Sequence, residues 1–288
     1  MDGVSWSATL TMESVPPIVS VCIPAFNAGR TIEATVRSVL DQDIPDLEIV
    51  VSDNASTDDT VQRVSQMGHP SIRIITQSHN RGMVRNYEAV IGDSRGRYVK
   101  LLCADDLLYA GGLRRELDSF LTAPEGVVMV VARREVVVSG RGRLPSWQVG
   151  NPRDGLESGC ALQRRVVATG RNLIGEGQAV LMRGDVARAA VTRGLGDPYV
   201  VDLSLWFHCL DRGDVLHLPH IHGVFTVSRS AATWQMRSQR RVQMSRFLRT
   251  QATARGYPKW VLTIGIARSL LGHMIRRGLY RVATTLPR

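Results

Sequence analysis

The chain has 288 residues, enough to bury a full core as one large domain or two smaller ones. Four scattered cysteines, Cys22, Cys103, Cys160 and Cys209, have no short pair spacing, which excludes a zinc site or a disulfide framework and fits a reducing, cytoplasmic compartment. The formal net charge is +10, yet thirteen of the 36 basic residues and none of the 26 acidic ones lie beyond Asp214, so the preceding chain carries −3 and the whole excess sits in the tail.

Residues 1–17 carry Asp2 and Glu13 and lack both a positive n-region and a long apolar run, so they read as a disordered tail rather than a signal peptide. Residues 19–23 form an apolar run expected to be a buried strand, broken by the turn chemistry of Pro24, Asn27 and Gly29. Ile32, Val36, Val39 and Leu40 then recur at helical spacing. Residues 47–52 predict a second strand, followed by Asp53-Asn54-Ala55-Ser56-Thr57-Asp58-Asp59-Thr60. There Ser56 or Thr57 is expected to cap a helix with an acidic first turn, burying Val61, Val64 and Met67. Residues 72–76 predict a third strand, 82–91 a third helix and 98–103 a fourth strand. Strand and helix alternate four times, which predicts an α/β fold with a mostly parallel, doubly wound sheet and helices on both faces.

The fourth strand runs through Leu101, Leu102, Cys103 and Ala104 straight into Asp105 and Asp106. Two adjacent carboxylates repel, and a cation between them removes the conflict. Hard oxygen ligands of this kind suit Mg²⁺ or Mn²⁺ held together with substrate phosphates. An Asp-capped turn accounts for the pair equally well taken alone. Every strand of this half, however, ends in polar residues: Asn27, then Asp53 and Asn54, then Asn80-Arg81-Gly82, then Asp105 and Asp106. Side chains at the carboxyl ends of neighbouring strands converge on one crevice. No G-x-G-x-x-G or G-x-x-x-x-G-K-[ST] run is present, which argues against a dinucleotide Rossmann site or a P-loop.

These segments, in this order, resemble family 2 glycosyltransferases. Val19-Ser20-Val21-Cys22-Ile23-Pro24-Ala25-Phe26-Asn27 with the helix ending Ser38-Val39-Leu40-Asp41-Gln42 is similar to the family's opening. Residues 53–60 resemble its D-[DGN]-x-S-x-D-x-T segment, Asn80-Arg81-Gly82 its N-x-G, Arg85-Asn86 its R-N, and Ala104-Asp105-Asp106 its metal-binding carboxylates. The resemblance implies a GT-A, Rossmann-like fold, a nucleotide-sugar donor and an inverting mechanism. By the same carry-over Pro24, Phe26 and Asn27 line the nucleotide pocket and Asp53 holds the base. Asn54, Asn80, Gly82, Arg85 and Ala104 complete the donor site, and Asp105 with Asp106 binds ribose, diphosphate and the metal, Mg²⁺ or Mn²⁺. Cys103 stands where the family often has an Asp, which puts the ribose contacts in doubt, and Arg97 stands where an acidic residue is common.

Further along, two apolar runs over 127–138 flank Arg133-Arg134 and predict a strand pair or a bend, and residues 139–159 read as a loop, where the resemblance places acceptor specificity. Residues 172–183 resemble a family strand with Glu176 facing the sugar pocket; an exposed turn glutamate is the alternative. Residues 201–207 resemble the family's E-D-x-D-L-W-L helix start, which gives Asp202 the role of general base. The plain alternative is an Asp that complements the helix dipole. Ser228 occupies a position where the family can carry a metal-binding histidine, and His217, His220 and His222 nearby read rather as strand or loop histidines than as ligands.

Beyond residue 232 the pattern is helical and basic, with a break at Gly256-Tyr257-Pro258. Arg268, Arg276, Arg277 and Arg281 interrupt the last apolar stretch, which falls short of the ~20 apolar residues needed to span a bilayer. Such helices either lie on anionic headgroups or pack on the catalytic domain. Aromatics are too few for a nucleic-acid platform.

The sequence therefore predicts a catalytic domain over 18–232, with a nucleotide-binding half (18–108) and an acceptor-binding half (109–232), and a basic helical extension over 233–288. The expected activity is inverting, metal-dependent transfer of a sugar from a nucleoside diphosphate, UDP first, to a hydroxyl acceptor in glycan, glycolipid, cell-envelope or secondary-metabolite synthesis. A lipid-linked acceptor would bring the chain to the inner face of the cell membrane. Two rivals stay open: a nucleotide-sugar-binding protein without turnover, motivated by Cys103, Ser204 and Ser228, and a nucleotidyltransferase, whose glycine- and lysine-rich phosphate loop residues 25–30 do not supply.

Overall fold

The computed structural model describes residues 16–138, 142–143, 153–227 and 236–285, with side chains described as far as residue 272. The expected first half is present: β1 (Val19–Ala25), α1 (Ile32–Leu40), β2 (Leu47–Asp53), α2 (Thr60–Gln66), β3 (Ile72–Thr76), α3 (Met83–Gly92) and β4 (Tyr98–Leu101). In this half β1 pairs in parallel with both β2 and β4, and β2 with β3. Alternate residues of each strand point to opposite faces. Cys22, Val50, Val99 and Leu101 accordingly join one core, while Val21, Ile23, Ile49 and Val51 join the other. Helices cover both faces, which is why these strands read as unbroken apolar runs.

The chain continues through β5 (Leu107–Leu108), α4 (Gly112–Thr122), β6 (Val127–Val138), the short β7 (Gly142–Arg143) and β8 (Gly155–Glu157), α5 (Gly159–Thr169), β9 (Val180–Arg183), α6 (Gly184–Val191), α7 (Val201–Leu210) and β10 (Asp214–Val227). One sheet results, in the order β3-β2-β1-β4-β9-β6-β10-β5. β9 runs antiparallel between β4 and β6, and β10 runs parallel to β6. This mixed second half, set beside a parallel first half, brings the ends of β4, β6 and β10 and the turn before β9 to one side of the crevice.

Four expectations need correction. The helix α2 begins at Thr60, so Asp58 and Asp59 precede it, and neither Ser56 nor Thr57 caps it. The fourth strand ends at Leu101, because residues 102–106 turn, with Asp106 N–H donating to the Cys103 carbonyl at 3.0 Å. Residues 127–138 form one continuous strand, in which the buried Arg134 pairs with the partly exposed Glu176. Within the segment expected as loop over 139–159, residues 142–143 form β7, residues 155–157 form β8 and Gly159 opens α5, while residues 139–141 and 144–152 lie outside the described residues.

Lys100, inside β4, is fully buried and donates to Glu116 Oε2 on α4 at 2.6 Å. His222 of β10 meets Glu116 Oε1 at 3.2 Å, so three buried polar groups tie β4, α4 and β10 together. Burial pushes the Lys100 ammonium down. The basic extension forms α8 (Arg240–Ala254) and α9 (Lys259–Thr285), separated at Gly256, whose φ is +62°. α8 packs on α7, with the Phe247 ring edge-on to Phe207 at 5.0 Å. Part of the tail's charge is answered within the fold: Arg246 pairs with Asp197 at 3.0 Å and Arg255 with Asp211. Among the described residues no helix is long and apolar enough to cross a membrane.

Candidate active site

Two loops form one side of the crevice, and hydrogen bonds between them explain much of the polar sequence there. Asn27, in the left-handed region at φ +49°, donates its N–H to Ser56 Oγ at 2.8 Å and accepts from Thr57 N–H through Oδ1 at 2.8 Å. Ala28 N–H and Gly29 N–H donate to Thr60 Oγ1 and Asp58 Oδ2. Ser56, Thr57, Asp58 and Thr60 thus act as a clamp on the β1 loop. Pro24 does not break the strand as expected but pairs with Ser52 inside β1, which ends at Ala25, and Phe26 beyond it is 47% exposed at the rim.

Asp53 closes β2 with its side chain buried; Oδ2 accepts from Ser56 N–H at 3.0 Å, and Oδ1 is enclosed with no partner. Asn54 instead donates to Asn80 Oδ1 at 3.0 Å and accepts from Arg81 N–H at 2.9 Å, while Asn80 Oδ1 also accepts from Gly82 N–H. These two asparagines hold the β3–α3 loop against β2. Gly82 enters α3 at φ +81°, a conformation that favours glycine, although nothing would obstruct a side chain there. Arg85 is exposed and pairs with Glu88 at 2.9 Å. Asn86, next to it, is buried and donates to the Ala25 and Ser52 carbonyls, fixing the strand ends that carry the site.

The acidic side is built from three further elements. After β4, Ala104 is buried and Asp106 is 1% exposed, its Oδ1 accepting from Thr226 N–H of β10 at 2.8 Å and its Oδ2 enclosed without a partner. Burial, then the neighbouring Asp105 charge, pushes Asp106 well above the usual carboxylate range against the pull of the Thr226 N–H; the Glu176 and Asp202 charges act in the same upward direction. Asp105 is raised by burial.

Glu176 stands on the turn before β9 and pairs with Arg134 of β6. This turn is closely packed: a Cβ on Gly177 would overlap the Leu101 carbonyl, so the turn lies directly against the end of β4. Gly175 has φ +126°, and a Cβ there would press on the Arg134 guanidinium at 3.0 Å. Its carbonyl accepts from Trp206 Nε1 at 2.9 Å. Trp206 is one helical turn beyond Asp202 on α7, so a single side chain registers α7 on the Glu176 turn.

Asp202 lies in the first turn of α7, with Oδ1 enclosed and without a partner. Burial, with the Glu176 charge added and Arg134 opposing, raises its pKa from 3.8 to about 7. Cys103 lies beside the acidic group, its thiol 3.2 Å from the Tyr87 hydroxyl. Burial pushes both the thiol and the phenol well up, so Cys103 is a neutral wall residue in the place of a carboxylate.

The structure thus brings Asp105, Asp106, Glu176 and Asp202 within electrostatic reach of one another and leaves acceptor oxygens on Asp53, Asp106 and Asp202 unsatisfied. Asn27, Asn54, Asn80 and Arg85 spend polar groups on internal partners. Among the described residues no cluster of three or more His, Cys, Asp or Glu side chains could hold a metal unaided. The Asp105–Asp106 pair fits a divalent cation on narrower grounds: one enclosed oxygen has no partner, both groups are pushed toward protonation by burial, and the remaining coordination would come from diphosphate oxygens and water. His217 accompanies Glu157 at 2.9 Å, His222 accompanies Glu116, and His220 is exposed, so none of the three joins this pair. Ser228 lies outside the described residues.

Arg134 and Gln178 are site residues that sequence reasoning missed. Gln178 is fully buried with both amide atoms unsatisfied, on the turn that follows Glu176. Neither residue has a local motif signal; Arg134 sits in an apolar run, where a charge demands a buried partner.

The sequence profile of glycosyl transferase family 2 matches residues 20–175, more than half of the chain. The chain belongs to glycosyl transferase family 2. Among the relatives of this family 2 chain, the uncharacterized protein MT1568 of Mycobacterium tuberculosis (strain CDC 1551 / Oshkosh) is 28% identical over 245 residues, 83% of this chain and 76% of that protein. The UDP-Glc:alpha-D-GlcNAc-diphosphoundecaprenol beta-1,3-glucosyltransferase WfgD of Escherichia coli is 29% identical over 104 residues, and the match covers 36% of this chain and 41% of the enzyme. The crystal structure of S. aureus TarS 1-349 in complex with UDP-GlcNAc superposes with a TM-score of 0.60 at 16% identity, over 81% of this chain and 66% of that one. The mannosyltransferase PcManGT from Pyrobaculum calidifontis, in complex with GDP-Man and Mn²⁺, superposes with a TM-score of 0.58 at 20% identity, over 96% and 77%. These likenesses establish the GT-A fold, with its central mostly parallel sheet.

Proposed function

We propose that this chain transfers a sugar from a nucleoside diphosphate, UDP first, to a hydroxyl acceptor by direct displacement with inversion. The observation that carries the reading is Asp202: a carboxylate with one enclosed, unpartnered oxygen and a pKa of about 7, within electrostatic reach of Asp106 after β4. A base whose pKa lies near working pH combines the right protonation state with useful driving force. Asp202 accepts the acceptor's hydroxyl proton as that oxygen bonds to the sugar C1, and the bond from C1 to the diphosphate oxygen breaks. Asp53, whose Oδ1 is enclosed without a partner, accepts from an N–H of the nucleobase. Pro24 and Phe26 offer the apolar wall, and Ala104 leaves room for the donor.

Asp105 and Asp106 would hold a divalent cation together with the diphosphate, and that cation, when bound, neutralises charge developing on the leaving group. The Thr226 N–H fixes the Asp106 carboxylate for this task, and the Arg134–Glu176 pair bounds the sugar side. UDP is favoured over other nucleotides by the UDP-sugars named for WfgD and TarS, and a metal by the Mn²⁺ complex of PcManGT. The diphosphoundecaprenol acceptor named for WfgD favours a lipid-linked hydroxyl presented at the inner membrane face.

The test is a panel of UDP- and GDP-sugars with Mn²⁺, reading release of free nucleoside diphosphate alongside calorimetric binding. Release from one donor well above the rest supports the reading. Tight binding without release, with every acceptor tried, would make the chain a nucleotide-sugar-binding protein without turnover.

A further inference from the structure

Four of the nine exposed large apolar side chains among the described residues, Trp260, Ile264, Leu270 and Leu271, lie on the single helix α9. Trp260, Ile264 and Leu271 are 59%, 39% and 58% exposed. Together with the exposed Ala267 they follow one another at spacings of four, three and four residues, which places them on one stripe. The opposite side of α9 is committed to the body. Val261 and Gly265 are buried, and Gly265 packs so closely on α5 that a Cβ would overlap the Val167 carbonyl. The stripe is therefore the helix's outward face, a position where a merely structural helix carries polar residues.

Lys259 and Arg268 lie on the two borders of this stripe, and both are exposed. Arg241 and Arg249 on α8 and Lys259 on α9 have no carboxylate within ion-pair distance among the described residues, whereas Arg246 and Arg255 do. The chain offers no Asp or Glu after Asp214 to answer them. An apolar stripe with cations at its borders asks for a partner that is apolar and anionic at once. A nucleic acid answers the charge but not Trp260 and Leu271; an anionic lipid surface answers both, and Trp is favoured at that depth.

We propose that α9 lies in the plane of an anionic membrane surface, with Trp260, Ile264 and Leu271 inserted below the headgroups. The location has a consequence for the site. α9 packs against Gly170 at the end of α5, and Asn172, two residues on, opens the turn that carries Glu176. Docking by α9 would set the sugar side of the crevice near the edge that meets the lipid, where a lipid-linked hydroxyl would arrive. That last step rests on the proposed transfer reaction; the docking itself does not.

The experiment uses the full chain with sucrose-loaded vesicles of phosphatidylcholine alone or mixed with phosphatidylglycerol. The chain should pellet with the mixed vesicles at low salt, stay in solution with phosphatidylcholine, and be released in ~1 M salt, where the screening length is about 3 Å. An Ile264→Asn, Leu271→Asn double variant changes only exposed positions and should keep the wild-type circular dichroism and nucleotide binding. It should bind the mixed vesicles at least about tenfold more weakly, the loss expected from removing one inserted apolar side chain. Three results would overturn the proposal: no pelleting at low salt, equal pelleting of the double variant, or a wild-type dimer that the double variant turns into a monomer, which would assign the stripe to a second copy of the chain. RNA binding that survives in the double variant while vesicle binding is absent would likewise assign the cations to another partner. Pelleting is read without turnover, so failure of this proposal and failure of the transfer reaction are told apart.

Discussion

Replacing Asp202 by Asn should stabilise the protein at alkaline pH while it removes the base. A carboxylate with a folded pKa of about 7 against an ordinary 3.8 holds its proton more tightly in the folded chain than in the unfolded one. Stability from this group is therefore fully present below pH 3.8 and is lost as pH rises through about 7. Each pKa unit is worth about 1.4 kcal/mol, so the full shift corresponds to about 4 kcal/mol, of which about 3 kcal/mol falls between roughly pH 5 and pH 8. Asp106 is raised too and makes the wild type's own decline steeper, so the quantity to read is the difference between wild type and variant at each pH. Urea unfolding of both proteins in excess chelator, without donor, gives that difference. The variant should gain about 3 kcal/mol on the wild type between these two pH values. A difference that stays flat across the range would mean that Asp202 ionises freely in the folded protein, and the argument for it as an enclosed base would go with it.

Other expected outcomes follow from the same geometry. Arg134→Met removes the cation that holds Asp202 down, so the acidic limb of kcat/KM should move up by roughly one pH unit, whereas Glu176→Gln should move it down; equal or absent shifts would detach the ion pair from the base. Asp106→Asn, or excess chelator, should weaken UDP binding by at least about tenfold, read by calorimetry, because two carboxylates unaided repel a diphosphate; unchanged affinity would remove the cation from the account. Lys100→Met leaves Glu116 buried beside His222 and should cost about 3–5 kcal/mol in urea unfolding, and a loss below about 1 kcal/mol would show that the pair relaxes to water. Gly177→Val would drive a side chain into the Leu101 carbonyl, so donor binding should fall with the fold retained in circular dichroism; wild-type affinity would mean the turn gives way without moving the β4 end.

The first half of the fold was legible because its strands are covered on both faces and its helices carry one apolar stripe; β1, β2 and β3 start and stop within a residue or two of their apolar runs. The carboxyl-end crevice followed from that alternation alone. What sequence could not reveal was which polar residues serve the fold and which the ligand. Asn54 and Asn80 look like binding residues by position, yet they bond to each other, whereas Asp53, one residue earlier, keeps a free oxygen. The second half was less legible because its pairings are long-range and mixed. Arg134 reads as a break in an apolar run until Glu176, far along the chain, is brought against it. Lys100 likewise has no local partner in the sequence of β4, since its carboxylate comes from α4. The tail's charge was visible, but not that Arg246 and Arg255 find Asp197 and Asp211 as partners while α9 shows an apolar stripe to the outside.

The measurement that bears most directly on the central claim is the split between donor binding and turnover in Asp202→Asn, taken with the donor chosen from the nucleotide-sugar panel and an acceptor that supports transfer. The account predicts donor affinity within about threefold of wild type and turnover lower by about 10² or more, the usual contribution of a positioned base. Wild-type turnover in that variant would contradict it and take Asp202 out of the reaction.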